Sequence, residues 1–277
     1  MHIGAVPFIC GCTFLIHLTE SVAYSMRLSG IRTRQIAIAM SFVSSTLLIS
    51  RLSNMFQSPL LGAMVDATTK IGTPASLHYL EWSFRTIIFA AFLGSAVGMF
   101  LTPTMVSIFH GAMNRFSASG SIPRVVLSIF IPRNFMLVVR SFRFPKLSML
   151  RNIRLGTLPR TFLVMNVLVT SVYTVGVLCS LLAGAYLPEM RSTANQLSGI
   201  VNGIATIIFT IVVDPSGARI TDQVYQHKRP ESDVLSVIFF LQLGRLFGTL
   251  ILAQIILIPF THYIEWATNW MAALFVR

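Results

Sequence analysis

Six stretches of this chain are each about twenty or more residues long and mostly apolar, and nothing else in the sequence limits the fold so strongly. They run near Ala5–Met26, Gln35–Leu61, Phe84–Phe109, Thr161–Leu187, Leu197–Ile220 and Val234–Phe260. A helix rises about 1.5 Å per residue, so about 20 apolar residues cross a hydrocarbon core about 30 Å thick. Charged residues make up only 11% of the chain and hydrophobic ones 54%. Globular domains carry about a quarter charged residues, so this chain lacks the polar surface to cover a water-soluble body. The expected fold class is all-α: a polytopic bundle of six spanning helices forming one transmembrane domain over residues 1–277.

The few charges are strongly biased, with 21 Lys and Arg against 9 Asp and Glu. In a soluble protein a net charge of +12 would point to nucleic acid. Here no basic pattern interleaved with aromatic residues supports that reading, so no nucleic-acid partner is expected. Basic loops instead hold spans at the cytoplasmic side and touch anionic lipid head groups. The first loop carries Arg27, Arg32 and Arg34, and the fifth carries Arg219, Lys228 and Arg229. The third is a long segment, Gly111–Arg160, with nine Lys and Arg and no acid. Loops one, three and five are therefore expected inside and both termini outside. Within the third loop, apolar pieces at Ile122–Ile131 and Phe135–Val139 are interrupted by Pro123, Pro132 and Pro145. Neither piece is long enough to span, and a basic segment with short apolar runs suits helices lying in the membrane interface. A re-entrant hairpin is the alternative. The N-terminal stretch lacks a basic leader and carries Glu20 early, so it is expected to stay as the first span. Cys10, Cys12 and Cys179 lie in apolar runs without metal-ligand spacing; no metal or cofactor is expected.

Polar residues inside the spans carry the functional signal. A charge near the bilayer centre costs about 3 kcal/mol on insertion scales, so such groups face a cavity or a partner. His17, Glu20, Tyr24 and Arg27 recur at steps of three and four in the first span, on one helix face. Ser50, Arg51, Asn54, Gln57 and Ser58 form a polar face in the second, followed by Pro59. Asn195, Asn202, Thr206, Thr210 and Asp214 do so in the fifth, and Gln242, Arg245 and Thr249 in the sixth. Glu20 and Asp214 could simply neutralise Arg51 and Arg245, gluing helices together. Four stripes exceed what gluing needs, since small residues, Ser and Thr suffice for that. The expectation is a wet cavity for a polar or anionic substrate. Arginine at both deep positions fits phosphate, because its planar fork binds two oxygens and keeps its charge. Asn54, Gly62 and Asp66 in the second span match Asn202, Gly203 and Asp214 in the fifth, a faint echo between the halves. No phosphate-binding Gly-x-x-x-x-Gly-Lys-Ser/Thr loop, serine elbow or zinc helix occurs. The chain is therefore read as a transporter without an ATPase motif, not an enzyme.

Two runs are familiar. His17-Leu-Thr-Glu20-Ser-Val-Ala-Tyr24-Ser-Met-Arg27-Leu-Ser-Gly30-Ile-Arg32-Thr33 resembles the opening of the Amj (alternate-to-MurJ) lipid II flippase family. Ser50-Arg51-Leu-Ser-Asn54-Met-Phe-Gln57-Ser-Pro59-Leu-Leu-Gly62-Ala-Met-Val-Asp66 is similar to that family's second-helix signature. Asn202-Gly203-Ile-Ala-Thr206, Val213-Asp214-Pro215 and Thr221-Asp222 also resemble it. The resemblance implies movement of undecaprenyl-diphosphate-linked peptidoglycan precursor from the inner to the outer leaflet of a bacterial cytoplasmic membrane. On that reading Arg51, Arg245 and Arg27 bind diphosphate or peptide carboxylate, and Asn54, Gln57 and Asn202 bind sugars. Glu20, His17, Asp214 and Asp66 serve charge pairing or coupling. The expected partners are lipid II, anionic lipids at the basic segment, and a second copy in a homodimer. Export of another polyprenyl-linked glycan, a non-transporting scaffold for wall synthesis and a lipid-phosphate enzyme remain open as alternatives.

Overall fold

The computed structural model describes residues 4–145, 151, 153, 156 and 158–275; Lys146 and Arg154 of the basic segment lie outside them. Among the described residues there is no strand, and six helices are long and apolar enough to span a membrane: Ala5–Arg32, Ile36–Ile71, Pro74–Ser119, Arg160–Tyr186, Pro188–Tyr225 and Glu231–Leu274. They are numbered here as spans one to six. All six expected spans are present, and several run longer than hydropathy alone indicates. The third begins at Pro74 and continues to Ser119, taking Gly111–Ser119 out of the basic loop where the sequence reading had placed it. At about 1.5 Å per residue its 46 residues extend about 69 Å, well past the hydrocarbon.

Local chemistry sets where these helices stop. Gly72 and Gly120 adopt φ of 64°, a left-handed conformation that favours glycine, and each N–H closes onto the carbonyl four residues back (Thr68 and Phe116). Thr73 caps the third span, its hydroxyl accepting from the Ser76 N–H at 3.3 Å, with Pro74 as the first helical residue. In the basic segment the prolines open helices as well as interrupting apolar runs. Pro123 sits in the first turn of Ile122–Leu127 and Pro132 begins Pro132–Arg140. Both helices are short. Phe135, Met136, Leu137 and Val139 on the second are exposed, as an interface-lying helix requires. Beyond it the chain lies against span three: the Arg143 N–H donates to Thr104 Oγ1 at 3.0 Å, and the Phe144 ring meets Phe100 edge-on.

Spans one, three, four and six form the tightly packed centre. Small residues bring spans one and three together: a Cβ added at Gly98 would lie 2.5 Å from the Ser21 Cβ, and one at Gly94 would run into the Phe14 carbonyl. Spans four and six are joined by Asn166, whose amide donates to the Phe240 and Leu241 carbonyls, and by Ser171, which donates to the Gly248 carbonyl at 3.1 Å. Gln242 ties span six to the first pair, donating to the Ser21 carbonyl at 3.0 Å and to Thr102 Oγ1 at 2.7 Å. Span two leans on span one and span five on span four. These outer two are the least buried, with 22% of the most apolar stretch buried in each against 61% in span six.

Two π-helical turns interrupt these spans, Phe209–Val213 in span five and Gly248–Leu252 in span six. The first directly precedes Asp214–Pro215. A proline has no N–H to continue the helical ladder and its ring crowds the carbonyl four residues earlier, so a widened turn there is its expected accommodation. Pro59, by contrast, lies inside the continuous helix Ile36–Ile71.

Candidate functional site

The polar stripes of four different spans converge on one cavity of about 640 Å³. Span one contributes His17, Glu20, Tyr24 and Arg27, which its three- and four-residue spacing keeps on one face. Span two contributes Ser50, Arg51 and Asn54, span five Asn202 and Asp214, and span six Arg245. Most of the remaining wall is apolar, formed by residues such as Val43, Leu47, Val169 and Phe209.

At its floor is a compact ionic cluster. Arg245 is 8% exposed and pairs with Glu20. It also donates to the Tyr24 hydroxyl at 3.3 Å and approaches His17 Nδ1 at 3.1 Å. A guanidinium has only donors, so His17 must accept through Nδ1 and carry its proton on Nε2. Ser50 donates to the other Glu20 oxygen at 3.3 Å, which ties span two to the same carboxylate. The Arg245 Nε is buried without a hydrogen-bond partner, so the cluster leaves one donor unused.

A second pair closes the end nearer the basic loops. Arg27 donates to Asp214 at 2.6 Å, joining span one to span five just beyond the π turn. Gly217 makes room for it: a Cβ there would lie 2.9 Å from an Arg27 terminal nitrogen. This corrects one expected pairing. Asp214 neutralises Arg27, and the only carboxylate engaging Arg245 among the described residues is Glu20. Arg51 is left over: among the described residues it has neither a hydrogen bond nor an ion pair, although it lines the cavity and is exposed.

Two expected site residues stand elsewhere. Gln57 is buried and off the cavity, with its side-chain oxygen unpartnered. Asp66 lies further along span two and pairs with Arg191 at the start of span five, where Arg191 also donates to the Gly62 carbonyl at 3.3 Å. The cavity also recruits residues that sequence reasoning missed, Thr170 and Tyr173 of span four. The Tyr173 hydroxyl donates to Thr206 Oγ1 at 2.5 Å, linking spans four and five. Span four carries no charge between Thr161 and Tyr186, so nothing set its hydroxyls apart from ordinary helix contacts. The three-residue step from Thr170 to Tyr173 was the available signal.

The arrangement therefore offers three guanidinium groups, two of them neutralised, with amides and hydroxyls on the walls. That set suits an anion carrying sugar hydroxyls. The family described as Amj, alternate to MurJ, matches over residues 12–268. The chain is 36% identical over 266 residues to the lipid II flippase Amj of Bacillus subtilis (strain 168), covering 96% of this chain and 97% of that one. No solved structure matches. This multi-pass protein belongs to the Amj, alternate-to-MurJ, family.

Proposed function

We propose that this protein is a lipid II flippase of the bacterial cytoplasmic membrane, carrying the undecaprenyl-diphosphate-linked precursor from the inner to the outer leaflet. The name and extent of the Bacillus subtilis relative support the reading. The observation that carries it is Arg51, a cation without a partner among the described residues, beside a buried ionic cluster in a chain otherwise short of charge. Such a group at membrane depth costs about 3 kcal/mol on insertion scales, and a diphosphate offsets that cost on arrival. Arg245 and Arg27 are held by Glu20 and Asp214 until phosphate oxygens or a peptide carboxylate compete for them, while Asn54 and Asn202 face the sugars.

A volume of about 640 Å³ falls within the range of single-ligand pockets, about 300–1,000 Å³. It takes the diphosphate and the adjoining sugar, and the peptide stays in water. The excess of Lys and Arg in loops one, three and five supports an inside location for them and an outside location for both termini. The exposed apolar and basic helix Pro132–Arg140 supports contact with anionic lipid at the inner surface. Transport is carried without an ATP-binding loop of its own. A homodimer would place two such cavities in one assembly, and crosslinking in native membranes reads its presence.

Reconstitution in liposomes with lipid II tests the central claim, following arrival of the head group in the opposite leaflet. Movement by the wild type and not by Arg51→Ala places Arg51 on the path. No movement by properly folded wild type with an ion gradient supplied favours the scaffold or enzyme reading instead.

A further inference from the structure

Spans two and five both line the cavity, yet they are not packed on one another: each leans on a different neighbour, and they are the two least buried spans. The cavity therefore has a side facing the bilayer. Its span-two edge carries Met40, Val43 and Leu47 at steps of three and four, an apolar stripe running along the helix from its basic-loop end. Phe209 of span five lines the same cavity. Arg51 marks the border, because it lines the cavity while its helix neighbours Leu48, Leu52 and Met55 are exposed on the outside of the bundle. At the opposite end the same two spans are fastened together by Asp66 and Arg191.

In an amphiphile the phosphate is the root of the hydrocarbon chain. A lone guanidinium on the rim of a polar cavity, continuous with an apolar stripe, fits that junction and no other part of the molecule. A second protein copy seated here would bury Arg51 against apolar side chains, at a heavy desolvation cost. We infer that the opening between spans two and five is a port for a prenyl chain, which holds the lipid with its diphosphate at Arg51, its sugars inside the cavity and its hydrocarbon in the bilayer. This rests on the flippase reading above. The chain then slides along the port while the head crosses, so the tail never enters water.

Site-specific photocrosslinking tests the port. A photoreactive residue replaces Leu47 or Phe209, or Ile255, which is exposed on span six away from the cavity, in the full-length protein in nanodiscs. Met40 serves as a further port position if either of the first two variants fails to purify like the wild type. The probe is radiolabelled undecaprenyl diphosphate. Labelling severalfold stronger at Leu47 and Phe209 than at Ile255, and suppressed by excess unlabelled lipid II, is the expected result. Equal labelling at all positions, or labelling that lipid II does not suppress, overturns the port. A short-chain, water-soluble lipid II analogue separates the two readings in the same samples. If its binding depends on Arg51 while prenyl labelling is uniform, only the port falls. If its binding ignores Arg51 as well, the flippase reading falls with it.

Discussion

Arg51 and Arg245 line the same cavity, yet their surroundings differ entirely. Arg245 is enclosed and paired, so its removal and the removal of its partner have structural effects. Glu20→Gln leaves a buried cation uncompensated and is expected to destabilise the protein by about 2–3 kcal/mol, less than the about 3–5 kcal/mol of a fully buried pair because Glu20 is a third exposed. Thermal unfolding in detergent measures this, and adding Arg245→Met is expected to recover most of the lost stability without restoring transport. Arg51 has no such partner. Arg51→Ala should unfold no earlier than the wild type while abolishing lipid movement, and Arg51→Lys should retain part of it, since lysine keeps the charge and loses the two-pronged geometry. Both arginines stand well inside long apolar runs of the sequence. The sequence could not show which carboxylate reached which arginine, because Asp214 and Glu20 each follow helical spacing on their own span, and pairing depends on how the spans rotate in the bundle. Tyr173 was hidden for a related reason: an uncharged hydroxyl in an apolar helix becomes a cavity residue only when a neighbour turns away.

Glycines divide the helices into those that touch and those that do not. Gly94 and Gly98 bring spans one and three to backbone contact, whereas Gly62 on span two has open space where a side chain would be. Gly98→Leu should therefore prevent stable accumulation, through overpacking of about 1–3 kcal/mol or more. Gly62→Ala should be tolerated, and a comparison of membrane expression and melting temperature checks the contrast. The Asp66–Arg191 pair fastens the far ends of spans two and five, and Asp66→Asn frees them. A cysteine replacing Asn202 should then react faster with a membrane-impermeant thiol reagent added from outside; unchanged reactivity would show that the pair does not limit access from that side. The six spans were legible because lipid demands long apolar runs. Their full lengths were not, because the ends beyond the hydrocarbon are stabilised by caps at Thr73, Gly72 and Gly120 and by packing. The π turn before Pro215 was legible only as a proline near a polar cluster.

At the level of the whole molecule, four closely packed spans support two looser ones, and the cavity lies between the rigid and the loose parts. A reporter fused at either terminus should be detected outside the cell, and one inserted after Ser119 inside it. The charge on the cavity walls has one more consequence. Arg27, Arg51 and Arg245 against Glu20 and Asp214 give 3 − 2 = +1 with His17 neutral. A doubly esterified diphosphate brings about two negative charges, so the loaded site is anionic and the empty one cationic. A bacterial membrane is negative inside, and about 2.3 kcal/mol is gained or lost per charge per 100 mV. On the flippase reading proposed above, that voltage favours outward movement of the loaded site and return of the empty one. Both halves of the cycle run downhill electrically, so a potassium diffusion potential, negative inside, should speed lipid transfer in vesicles with no chemical fuel present, and reversing its sign should slow it.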